Sequence, residues 1–191
     1  MPIHKLNISS YLDGVEYGKE TSCYNTLIAY DVPLYDQKSS SLCWAFAQLM
    51  IMDSWYNIET SNEVATVRAK LLAIFRREVL FEGKEWNSGG KPNNIKEINY
   101  IVDFNTDISI ERLYTLLLQE GPLYAAYFND ISGHAIVITG VDTKYGLEYT
   151  NNPWGITGVQ NYEDFLLCFA GVNLIDGYKL REIVVLRRIL Q

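Results

Sequence analysis

Cys43, His134 and Asn152 are the residues of this chain whose types and order suit nucleophilic catalysis. Cys43 opens the apolar stretch LCWAFAQLMIMDSWY. At the first turn of a helix, unpaired backbone amides and the helix dipole favour an anion and draw a thiol toward the reactive thiolate. Most buried cysteines are only small apolar fillers, so the assignment needs partners. His134 is one of two histidines and begins the strand-like run HAIVITGV, while His4 lies in the N-terminal stretch. A lone histidine at a strand edge is usually structural, but a distant cysteine gives it a possible role as base. Asn152 stands in YTNNPWG, where Pro153 holds the preceding backbone extended and can aim the amide oxygen at an imidazole N–H. Asn151 competes for that role from one position away, and an ordinary Asn-Pro turn is the plain reading of the same residues.

Five further positions extend this set. Gln37, six residues before the cysteine, can turn its amide back across the helix start and donate to an oxyanion formed at the sulfur. Gly89 and Gly90, in WNSGGKP, leave room for an extended peptide to be gripped through main-chain hydrogen bonds, although a Gly-Gly pair before Lys-Pro is also a common loop. Gly133 and Trp154 flank the histidine and the asparagine and are assigned with them to substrate binding. Trp154 is also expected to shield the His–Asn hydrogen bond from water.

The elements that must hold these residues follow from periodicity and punctuation. Residues 42–56 read as a buried helix, with Ser39, Ser40 and Ser41 as candidate N-caps. A second helix is expected over 62–80, with Val64, Val67, Leu71, Ile74 and Phe75 forming its packing face. INYIV is read as a short helix capped by Asn93 or Asn94, and SIERLYTLLLQEG as a helix from Ser109 to Gly121. The first stretch, through YNTLIAYDVPLYDQ, suits extended segments and turns. After Pro122 the runs LYAAYF, HAIVITGV, LEYTN and EIVVLRRI read as strands. The expected fold class is α+β, with a helical lobe (about 37–120) packed against an antiparallel β lobe (about 121–191, joined by 1–36) in one domain of 191 residues.

Composition removes several function classes. A net charge of −7, with Lys and Arg scattered among more numerous acids, provides no basic face for nucleic acid. No apolar run approaches the roughly 18 residues that span a membrane, and the start MPIHKLNISS lacks an export leader. Three cysteines, at 23, 43 and 168, are too few for a disulfide framework, which leaves one Cys23–Cys168 bridge open. A monomer is expected, needing no metal or cofactor, located in the cytoplasm or exported by a specialised secretion machine.

QKSSSLCWAFA resembles the papain-family signature, in which a Gln precedes the nucleophile by six positions and Cys-Trp-Ala-Phe follows. GHAIVITGV is similar to that family's histidine strand, and NNPWG to its Asn-x-Trp-Gly turn, in the family's order of Cys, His and Asn. NSGGKP resembles the substrate-strand loop. The resemblance implies a papain-like fold and a cysteine peptidase acting on peptides or proteins. Cys43 would be its nucleophile, His134 its proton shuttle, Asn152 its orienter and Gln37 an oxyanion donor. Ser40 stands where the family carries a structural cysteine, and a Pro lies inside the asparagine turn. These departures resemble a bacterial branch of effector proteases and bacteriocin leader peptidases, and Trp44 after the cysteine favours the effector type. Transfer of the acyl group to an amine, or isopeptide cleavage, would use the same residues. A catalytically silent peptide-binding protein is the alternative from another class.

Overall fold

The computed structural model describes residues 26–81, 98–103, 108–169, 171 and 177–188. At its centre is an antiparallel sheet of seven strands. These are β1 (Leu27–Ala29), β2 (Ile98–Asp103), β3 (Leu123–Phe128), β4 (Gly133–Asp142), β5 (Leu147–Asn152), β6 (Ile156–Asn161) and β7 (Lys179–Arg188). They lie in the order β2-β7-β3-β4-β5-β6, and β1 pairs with the far end of β4. Around the sheet are α1 (Cys43–Tyr56), α2 (Asn62–Phe81), α3 (Ile110–Glu120) and α4 (Tyr162–Leu167).

Strand β4 organises the sheet because its sequence is apolar on both faces. Side chains alternate across a strand, so Ala135 and Val137 face one way while Ile136 and Ile138 face the other. The first pair joins a core with α1 and α2, and the second joins a core with α3 and α4. Chain order groups α3 with the two helices before it, but packing places it across the sheet from them. Its strongly one-sided sequence explains this: Leu113, Leu116 and Leu117 recur at helical spacing and are buried on a single stripe. Ser109 caps α3 by accepting from the Arg112 N–H at 3.2 Å, and Gly121 ends it at φ 85°, as its sequence signals predict.

Helix α1 begins differently from expectation. Leu42 occupies the N-cap position and makes no side-chain capping bond. Ser40 instead turns both its N–H (3.1 Å) and its hydroxyl (2.8 Å) onto the Gln37 carbonyl, which tightens the loop ahead of the helix rather than the helix itself. The helix start is therefore left without a capping side chain.

The packing face of α2 is a second correction. Val64, Val67 and Leu71 are exposed, whereas Ala65 and Ala69 are fully buried with Leu72 partly buried beside them. Small alanines allow close approach to α1, and Arg68 on that inner side reaches the buried Asp53 of α1 through two bonds, Nη1–Oδ2 at 2.5 Å and Nη2–Oδ1 at 2.7 Å. Tyr35 donates its hydroxyl to the same carboxylate at 2.8 Å. A paired buried charge thus sets the rotation of α2 in place of its larger apolar residues; the side chains of Ile74 and Phe75 lie outside the described residues.

INYIVD is a strand and not a helix: β2 pairs along its whole length with β7, from Ile98 opposite Arg188 to Asp103 opposite Ile183. Its β-branched and aromatic residues suit that ladder, and tertiary pairing overrides a local helical reading of so short a run. Asn93 and Asn94 lie outside the described residues. Strand β6 and helix α4 had no expectation attached to them.

Glu148 is the polar exception in the second core. It is fully buried on β5, and neither carboxyl oxygen has a hydrogen-bond partner among the described residues. Burial alone pushes its carboxyl well above the usual range. Below the unfolded-chain value, both states are protonated and the group has no effect. Above it, the unfolded chain ionises first, and stability falls as pH rises toward the folded value. Glu148→Gln should therefore match the wild type in thermal unfolding near pH 4 and exceed it at pH 7, with a gap growing by up to about 1.4 kcal/mol per pH unit. Arg68→Ala, which strands the Asp53 charge, should lower unfolding stability in urea by about 2 kcal/mol.

Candidate active site

The N-terminus of α1 lies against the start of β4. Ala45, Ala47, Ala135 and Val137 share one core, where the helix alanines present little bulk. Cys43, the first helical residue, is half-buried with a free thiol. Burial raises its pKa, while hydrogen bonds from the backbone N–H groups of Ala135, Trp44 and Cys43 itself oppose that rise. The Ala135 N–H belongs to the peptide group joining His134 to Ala135. The sulfur is thus seated against the backbone of the histidine at the start of β4.

His134 is 5% exposed. Its Nε2 lies 2.8 Å from Asn152 Oδ1. An amide oxygen only accepts, so Nε2 carries the proton and, in the neutral ring, Nδ1 is the bare nitrogen. Nδ1 is also the ring nitrogen nearer the residue's own backbone. The Trp154 and Phe169 rings pack on adjoining sides of the imidazole, each with its centroid 4.5 Å away and tilted by 36° and 31°, and meet each other at 5.5 Å. This apolar enclosure lowers the His134 pKa, and the Asn152 bond partly restores it.

Asn152 ends β5 and enters a tight turn. Its Oδ1 also accepts the Trp154 N–H at 3.0 Å, and its carbonyl accepts the Gly155 N–H at 3.0 Å. Pro153 at the second turn position fixes its own φ, and Gly155 at φ 74° completes a conformation that side chains disfavour. Asn151 faces away: its Nδ2 donates to the Val32 carbonyl at 2.8 Å and its Oδ1 accepts from Thr157 at 3.4 Å. The period of two thus assigns the neighbouring amides different partners.

Gln37 is tied to the same turn. Its N–H donates to the Pro153 carbonyl at 2.6 Å, next to an antiparallel bridge between Asp36 and Trp154. Its side-chain Oε1 is buried without a hydrogen-bond partner among the described residues. Gly133 has a packing reason of its own: a Cβ there would fall 2.6 Å from Cε1 of Phe128, its partner across β3. Trp154 is 38% exposed, with one side on His134 and the other open. Gly89, Gly90 and Cys23 lie outside the described residues, and Cys168 is a free thiol.

Phe169, just beyond α4, is the component that sequence reasoning missed. Its only signal was membership of the run FLLCF, which any apolar core would supply. Among the described residues, no cluster of His, Cys, Asp and Glu could hold a metal ion, and no helix is long and apolar enough to cross a membrane.

An isolated charge is disfavoured at this site, since burial raises the thiol and lowers the imidazole. A thiolate and an imidazolium can be accommodated there only as a pair. His134→Ala removes the counter-charge and should leave Cys43 above the ordinary thiol range. Alkylation by iodoacetamide should then be slow at pH 7 and rise only in strong alkali, whereas the wild-type thiol should already react near neutrality.

Compared with the curated proteins, the chain matches none of them. A family model, described as papain-like cysteine protease AvrRpt2, matches residues 26–165. That match takes in both β-strands around the histidine and asparagine, the cysteine helix and the loop before it, and the chain belongs to this family of papain-like cysteine proteases.

Proposed function

We propose that this cysteine peptidase cleaves protein substrates through Cys43, His134 and Asn152, with Gln37 and the Cys43 backbone N–H receiving the oxyanion. The observation that carries the reading is the position of the sulfur on the peptide group of His134, combined with the bond that commits Nε2 to Asn152. Together they leave Nδ1 as the nitrogen available to the thiol.

In this reading Nδ1 takes the Cys43 proton, and the thiolate adds to the scissile carbonyl. The resulting oxyanion is held by N–H donors at the uncapped start of α1 and by the Gln37 amide. The imidazolium then protonates the departing amine, leaving a thioester on Cys43. Water, deprotonated by His134, attacks the thioester and releases the acid, which restores the thiol. Asn152 keeps the ring in one tautomer, and the turn that supplies Asn152 also anchors Gln37. A 2.6 Å backbone bond therefore links the orienter to the oxyanion donor.

The resemblance to effector-type bacterial proteases, carried by Trp44 after the nucleophile and by the Asn-Pro-Trp-Gly turn, points to a protein substrate rather than a bacteriocin leader. We place the enzyme with secreted effectors on that ground. Hydrolysis is favoured over amine transfer because the mechanism requires no second substrate site.

Cys43→Ala should abolish cleavage of a peptide library. Gln37→Ala should lower kcat by roughly 10²-fold, as loss of one oxyanion donor does, with little change in KM. Asn152→Ala should fall between them. A Cys43→Ala variant that retains turnover would overturn the assignment. Mass spectrometry of the products, run with and without added amine, separates hydrolysis from acyl transfer.

A further inference from the structure

The imidazole of His134 is not held by its hydrogen bond alone. Four rings meet beside the site: His134, Trp154 and Phe169 contact one another in a triangle, and Tyr178 meets Phe169 edge-on. Phe169 is fully buried and lies 4.5 Å from the imidazole centroid on one side and 5.2 Å from the Tyr178 ring on the other. Tyr127 meets it edge-on at 5.1 Å, and Trp154 at 5.5 Å. Tyr178 then closes the circuit, because its hydroxyl is 2.6 Å from the Ser132 hydroxyl, two residues before His134. Ser132 is itself pinned by its N–H to Asn129 Oδ1 at 2.7 Å, within the β3–β4 turn.

We infer that Phe169 and Tyr178 form a brace that fixes the plane of the His134 ring, with Phe169 as a positioning residue for proton transfer. This rests on the Cys43–His134 reading above and extends it. The Cβ tether and the hydrogen bond at Nε2 fix the two ends of the side chain, but they still let the ring plane tilt about the line between them. Rotation would carry Nδ1 off the sulfur. The Phe169 and Trp154 rings, 5.5 Å from each other, fill adjoining sides of the imidazole and block its movement toward them, and of the two only Phe169 is fully buried. Trp154 is partly open to solvent and sits on a turn, so the rigid wall is Phe169, backed by Tyr178. The Ser132–Tyr178 bond holds the backbone entering β4 to the same brace, fixing ring and main chain together. Neither residue touches the reacting atoms; both act through the histidine.

The test uses the full chain and needs no known substrate. Phe169→Leu keeps an apolar side chain of similar reach without the flat face, and Tyr178→Phe keeps both rings while removing the hydroxyl on Ser132. The chain has two histidines, so the Nε2–H proton of His134 can be followed by NMR in ¹⁵N-histidine-labelled protein, beside the pH profile of Cys43 alkylation by iodoacetamide. In Phe169→Leu the Nε2–H signal should broaden or vanish. Neutral-pH alkylation should drop ~10-fold, reflecting misalignment of the reacting pair, and the profile should move toward higher pH. Peptide turnover should lose kcat with KM retained. Tyr178→Phe should shift all these readouts in the same direction by less, and it carries the test alone if Phe169→Leu does not fold. Folded variants with a wild-type Nε2–H signal and a wild-type alkylation profile would overturn the brace. If instead the wild-type profile is unchanged by His134→Ala, it is the Cys–His reading that fails, a distinct result.

Discussion

The hydrogen bond between His134 Nε2 and Asn152 Oδ1 sits in a nearly dry aromatic enclosure, and much of the neighbouring structure is arranged around it. In water such a bond exchanges freely with solvent and contributes little net free energy. Enclosed by Trp154 and Phe169 it has no competitor, so it sets both the tautomer and the direction of the ring. The same enclosure makes the neutral imidazole the favoured lone state, and it makes a charged ring depend on a neighbouring anion. A site of this kind holds charge as a pair or not at all, which is the electrostatic condition a thiol–imidazole couple requires.

That bond is possible because three separate backbone devices converge. The Asn-Pro-Trp-Gly turn gives Asn152 its orientation and returns its neighbour's carbonyl to Gln37. Ser40 then folds the loop after Gln37 back on itself, where the wider papain family resemblance would place a structural cysteine. A hydrogen-bonded serine performs the local tightening without a covalent bridge, consistent with a chain whose described cysteines are free thiols. On the other side, the alanines of α1 let the helix start reach the His134–Ala135 peptide group near the start of β4. Replacement of any of these small or turn-forming residues by a bulky one would move a reacting group rather than merely loosen the core.

The two faces of the sheet divide the labour. The α1–α2 face carries the sulfur and is locked by the Asp53–Arg68–Tyr35 cluster. The α3–α4 face supplies Phe169 and surrounds the buried Glu148. Asn152, Thr150 and Glu148 share one side of β5, so an unpaired carboxyl lies on the same strand face as the asparagine of the site. Such a group is a standing cost to folding at neutral pH, carried by the strand on which the site depends.

The sequence by itself singled out the candidate residues and their order, because a thiol at a helix start, a histidine at a strand start and an asparagine before proline each have a local signature. It also determined α3, whose cap, stripe and terminal glycine lie within a dozen residues, and four of the five described strands that follow Pro122. Only the tertiary structure decided which asparagine faces the histidine, since Asn151 and Asn152 differ solely in which side of β5 they occupy. It also decided that INYIVD is a strand, because β7, about eighty residues away, supplies its partner. The inner face of α2 was decided by a buried ion pair with α1, which no helical period reveals. Phe169 became part of the site for the same reason: a ring's place against another ring is set by contacts across the fold, and those have no spacing to read.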